Sequence, residues 1–196
     1  MKTFTVTFAN LLLLFCTSCT QQSQDQQPLT EYRTTATIKD IMDSMVDPGA
    51  DFIWESVATV ISAQGVEDRA PHTDEEWKEV RRRAIMLLEA TNLLQIPGRQ
   101  VAKPHEKSEN PGIELEPEKI EELINKDRPA WIKYAHGLHD ATMDALKAIE
   151  AKDSEKLLDV GNRIDEACEK CHLQYWYPDE KRPESAPSLR DQSSKP

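Results

Sequence analysis

The sequence predicts an all-α protein, a four-helix bundle. Four stretches repeat their apolar residues at helical spacing, and none reads convincingly as a strand. Of 196 residues only 6 are Gly, while 30% are charged, a balance that suits helices better than a β-sandwich. Four helices with one apolar face each bury those faces best against one another. The length suits one domain with tails, and no internal repeat is evident.

The first 18 residues read as an export signal outside the fold. Lys2 supplies a positive start and Leu11 to Phe15 an apolar core, too short to span a bilayer. The run Cys16-Thr17-Ser18-Cys19 then resembles a bacterial lipoprotein signal, with small residues before Cys19. That resemblance implies cleavage before Cys19, lipidation of Cys19 and a periplasmic protein held to a membrane by lipid alone. An ordinary secretory signal cut nearby is the alternative. Residues 19–35, Gln-rich and polar, read as a flexible tether.

The folded domain is expected over residues 36–178. Thr37 to Gln64 carries helical periodicity in two pieces. Ile38, Ile41, Met42 and Met45 share one face; Asp47-Pro48-Gly49 predicts a kink or short break; Ile53, Val57, Val60 and Ile61 resume the pattern beside Trp54. Thr73 and Glu76 form a capping box that opens the second helix. Its buried stripe is Trp77, Val80, Ala84, Leu87, Leu88, Thr91 and Leu94, and Pro97-Gly98 ends it. Arg99 to Glu114, with Pro104, Pro111 and Gly112, reads as a loop.

A third helical region starts at Pro117 and restarts near Pro129. Its face is Trp131, Ala135, Leu138, Thr142, Ala145, Leu146 and Ile149. The fourth helix runs from about Ser154 to Trp176. Residues 179–196 read as a disordered tail.

The fourth helix carries Ala-Cys-Glu-Lys-Cys-His, Ala167 to His172. At about 100° per residue, Leu157, Ile164, Cys171, His172 and Tyr175 all fall within about 60° of Cys168. Both thiols and the imidazole therefore lie on the apolar face. Three chemistries use such a group. A zinc site needs about four ligands, usually from a second Cys/His cluster. The mature domain has no other cysteine, and His72, His105, His136 and His139 are scattered. A thioredoxin-type disulfide favours a helix N-terminus after a strand, whereas this motif sits near a helix C-terminus. A structural disulfide within one helical turn would strain the helix. Covalent haem needs this arrangement: each thiol adds to a porphyrin vinyl group and the adjacent histidine binds iron axially. Gly161, two turns earlier, is expected to leave room for the macrocycle.

Four helices with CxxCH on the last resemble the cytochrome c′ family, the class II c-type cytochromes. The resemblance spans roughly Thr37 to Pro178 and rests on Cys168, Cys171 and His172 together with Tyr175. It implies one covalent haem c and a first helix covering the distal face. Low-spin members place a methionine there, and gas-binding members an apolar residue. Met42 is the expected sixth ligand and Met45 its alternative, with His139 a weaker candidate; Met86 is read as outward, Met143 as flanking and His136 as exposed. Where the family often has a basic residue, this chain has Trp176. Family members often dimerise through the first two helices, which makes a homodimer an expectation.

Function follows from that ligand. With methionine bound, the expectation is single-electron transfer; with an open face, binding or sensing of NO or CO. No phosphate loop or Ser-His-Asp pattern appears, so an enzyme is not expected. Net charge is −11, and the signal removes one Lys and no acid. Nucleic acid is thus disfavoured as a partner; the charge is compatible with a basic redox protein as partner, or with simple solubility.

Overall fold

The computed structural model describes residues 32–179 apart from Gln64. The signal segment, Cys19, most of the tether and residues 180–196 lie outside the described residues. The chain is all-α in character, and its helices form four rods around one core.

The first rod joins α1 (Ile38–Ile41), a π-helical turn (Met42–Val46) and α2 (Asp47–Ser56). Thr37 caps it reciprocally: its Oγ1 accepts from the Asp40 amide at 3.0 Å, and Asp40 Oδ2 accepts from the Thr37 amide at 3.0 Å. The break expected at Asp47-Pro48-Gly49 is absent, and the helix runs through. Proline lacks an N–H and crowds the carbonyl four residues back. Here one turn widens instead, with the Asp47 amide donating to the Met42 carbonyl. The extra residue also joins two apolar faces that are out of phase: Ile38 and Ile41 end up buried along with Val46, Ala50 and Ile53. Gly49 is needed where α2 meets its neighbour, since a Cβ there would lie 3.3 Å from Leu87 Cβ and 3.5 Å from the Arg83 carbonyl.

A β-hairpin follows, which corrects both the helix expected through Gln64 and the expected absence of strands. β1 (Ala58–Ser62) pairs antiparallel with β2 (Gly65–Arg69), from Ala58 opposite Arg69 to Ser62 opposite Gly65. Val57 has already left helical geometry at φ −137°. Val57, Thr59, Val60 and Ile61 are β-branched and favour extended backbone.

The second rod, α3 (Asp74–Leu94), opens on the predicted box: Thr73 Oγ1 accepts from the Glu76 amide at 3.2 Å and Glu76 Oε2 from the Thr73 amide at 2.9 Å. All seven stripe residues are buried. Thr73→Ala is expected to cost about 1 kcal/mol, the usual worth of such a cap. Chemical denaturation checks this through a lower midpoint at unchanged slope.

The loop of residues 95–116 leads to α4 (Pro117–Lys126). It is fastened to the first rod: the Gln100 and Val101 carbonyls accept from the Ile38 and Lys39 amides, both at 2.9 Å, satisfying donors a helix start leaves open. Lys103 Nζ reaches Asp40 Oδ1 at 2.5 Å. Lys103 first, then the Thr37 amide, holds the Asp40 carboxyl at about 2, below its ordinary 3.8. A depressed acid stabilises the fold above its unfolded value and loses that contribution as pH falls through the folded one. Asp40→Asn should therefore flatten the loss of stability between about pH 4 and 2, read by thermal melts across that range.

The third rod, α5 (Arg128–Glu150), restarts where expected. Asp127 accepts from the Ala130 amide at 3.1 Å, and every residue of the predicted face is buried. A short turn returns the chain into the fourth rod, α6 (Ser154–Tyr175), whose cap Asp153 accepts from the Lys156 amide at 2.8 Å. α2 packs on α3, α3 on α5, α5 on α6 and α6 back on α2, closing the four-helix bundle.

Candidate functional site

The last two turns of α6 carry Cys168, Cys171 and His172, all half-buried, and both cysteines are free thiols. They border an apolar cavity to which all four rods contribute. Its other walls are Met42, Val46 and Asp47 from the first rod, Leu94 from α3, Trp131, Tyr134, Ala135 and Leu138 from α5, and Ala167 from α6. A second, more polar cavity shares Met42, Asp47 and His172 with the first. The loop closes it with Lys107, Glu109 and Leu115, and the end of α6 with Trp176 and Tyr177. The Leu115 amide donates to the Trp176 carbonyl at 2.7 Å, tying loop to helix. The His172 ring lies 5.6 Å from that of Trp176 and 5.9 Å from that of Tyr177.

Electrostatics keep the three donors neutral. Burial pushes both thiols up to about 12, and Asp47 adds to the shift at Cys168. Burial also lowers His172, against the attraction of Asp47 and Glu169. The negative end of the α6 dipole adds to the cost of a thiolate here. A dithiol redox centre depends on a stabilised thiolate, and this site provides the opposite. A neutral imidazole keeps a lone pair for a metal. Among the described residues, no three His, Cys, Asp or Glu side chains come together as a metal-ion site.

These residues fit a covalent haem. Two neutral thiols and an imidazole on one helix face border an apolar space walled by aromatic and aliphatic side chains. Tyr175, on the same face, is fully buried, and its hydroxyl has no hydrogen-bond partner among the described residues. A cofactor with polar peripheral groups would supply one.

Met42 lines both cavities beside His172, whereas Met45 lines neither and packs half-buried against the core. His139 is half-buried with Nδ1 3.7 Å from Asp140 Oδ1, and it lies off the cavity walls. His136 is exposed and Met143 half-buried, as expected. Met86 does not face outward: it is half-buried, its Cε 3.5 Å from where a Gly49 Cβ would stand. The space at Gly161 is taken by Trp54, whose Nε1 donates to the Gly161 carbonyl at 3.1 Å; a Cβ would lie 3.2 Å from the indole. Gly161 thus serves helix packing rather than the macrocycle. Cys19 lies outside the described residues.

Sequence reasoning missed Asp47, taken as part of a break, and Tyr134. Tyr134 stands three residues after Trp131, a spacing that could have placed it on the same wall.

No family model matches the chain, and no curated protein does. Several solved structures of cytochrome c prime from Alcaligenes xylosoxidans are similar to it at 16% identity. A ferrous variant with bound NO aligns with a TM-score of 0.45, covering 72% of this chain and 98% of its own. A ferrous leucine-to-valine mutant aligns at 0.46 with the same coverage. The nitric oxide complex of a leucine-to-alanine mutant aligns at 0.46, covering 74% and 98%.

Proposed function

We propose that this chain is an exported c-type cytochrome with one covalent haem, attached through Cys168 and Cys171 and bound axially by His172. The observation that carries the reading is the placement of CxxCH. Both free thiols and a neutral imidazole border one apolar cavity at the end of the last helix. When bound, the haem supplies one-electron chemistry and affinity for diatomic gases. The chain's own residues bind and orient it: the cysteines hold one edge, Trp131, Leu138 and Leu94 exclude water, and the loop closes the His172 side.

Single-electron transfer is the preferred role, with Met42 as sixth ligand, because Met42 is the methionine that lines the cavity beside His172. The mature protein is periplasmic and lipid-anchored at Cys19, and its redox partner is basic, matching the net charge of −11. Among the described residues, no helix is long and apolar enough to cross a membrane. Gas binding is the second reading, favoured by the aliphatic walls Val46, Leu94 and Leu138 should Met42 leave the iron.

An optical spectrum of the reduced protein, with and without carbon monoxide, separates the two. A low-spin spectrum unmoved by carbon monoxide supports electron transfer. A high-spin spectrum that shifts on adding it supports gas binding. Mass spectrometry of the mature N-terminus tests the anchor, and an unmodified start at any other residue would sink it.

A further inference from the structure

We propose that Asp47 sets the reduction potential of the haem iron low, by holding an uncompensated carboxylate charge on the same side of the site as Met42. The inference rests on the covalent-haem reading. Its starting point is the π-helical turn Met42–Val46. Residues five apart in an α-helix stand about 140° from each other around the axis. A π-helical turn takes in one more residue, so the Asp47 amide donates to the Met42 carbonyl and Asp47 comes round to the side of Met42. The outcome is visible in the walls: Met42, Asp47 and His172 are the three residues that the two cavities share. Asp47 is also the acidic side chain in the wall of the apolar cavity that both cysteines border.

The charge is felt at the site. Behind burial, Asp47 is the group that acts most strongly on the Cys168 thiol and on the His172 imidazole. Burial raises the Asp47 carboxyl above its ordinary 3.8, and His172 is the charge that opposes this most. No hydrogen bond or ion pair holds that carboxylate among the described residues. The cations of the second cavity are engaged elsewhere. Asp43 Oδ2 holds Lys39 Nζ at 3.1 Å and Glu109 holds it from the loop, while Lys107 Nζ stands 3.6 Å from Glu116 Oε2. Asp47 is open to solvent at the cavity mouth, so it is ionised at neutral pH.

Ferric iron carries one more positive charge than ferrous iron. A nearby anion therefore stabilises the ferric state, and more so where little water screens it. Asp47→Asn removes the charge and keeps the size. In the haem-loaded variant the covalent haem, read by mass, and the spin state, read optically, should match wild type. The reduction potential, titrated at about pH 8 and so above the carboxyl range, should rise. Asp47→Glu keeps the charge and should stay close to wild type. A potential that does not rise in Asp47→Asn, or that rises only with a change of spin state, overturns the inference. So does an Asp47→Glu potential that rises as far as that of Asp47→Asn, since packing and not charge would then be the cause. Should Asp47→Asn fail to load haem, Asp47→Ser gives the same decision by the same reading. A wild-type protein without covalent haem overturns the haem assignment, and this inference with it. An unmoved potential in haem-loaded protein overturns the inference alone.

Discussion

The Cys168→Ala/Cys171→Ala variant, exported and purified, is expected to release all its haem into acidic acetone. Thioether bonds are what survive denaturation, and these are the two free thiols among the described residues. Each single variant should keep its haem through the remaining sulfur, with the haemochrome band moved towards that of an unsaturated porphyrin. The double variant should also melt at a lower temperature, since a group bound only by the folded state stabilises it. The substitutions themselves remove only small, half-buried side chains. Haem retained covalently by the double variant would contradict the assignment of both cysteines.

Met42→Ala is expected to change the iron rather than the fold. If the Met42 thioether is the sixth ligand, its loss turns the haem largely high-spin, lowers the reduction potential and admits carbon monoxide. Met42 is half-buried at the junction of the two cavities, so truncation costs little packing. Met45→Ala is the control. It sits against the core away from the cavity walls and should lose about 2 kcal/mol, the low end of core truncations, with the spectrum unchanged. The opposite outcome would make Met45 the ligand. If both variants keep the wild-type spectrum and gas affinity, neither methionine binds the iron, and the electron-transfer role loses its main support.

The long helices were legible because each carried two independent signals. α3 had a capping box and a seven-residue stripe, and both stand in the structure. α5 had Pro129 at its start and a clean face. The first rod was harder, because two local rules gave the wrong answer there. Pro48 reads as a break until a π-helical turn is considered, and nothing local announces that turn. Val57 to Ile61 keeps an apolar spacing compatible with a helix, while its β-branched residues favour the hairpin that forms.

The candidate site divides along the same line. CxxCH was legible because its spacing carries its own chemistry. Asp47, Tyr134 and the loop wall were not, because tertiary packing brings them to His172. Gly161 shows the reverse error: a missing side chain was read as space for a cofactor, and Trp54 occupies it.

The central claim is that Cys168 and Cys171 hold a haem covalently. Acid–acetone extraction of the denatured wild-type protein, followed by mass spectrometry of the peptide spanning Ala167 to Leu173, tests it most directly. The account predicts that the haem stays with the protein and that this peptide carries its mass through both sulfurs. Haem that passes into the solvent, leaving a peptide with two unmodified cysteines, would contradict it.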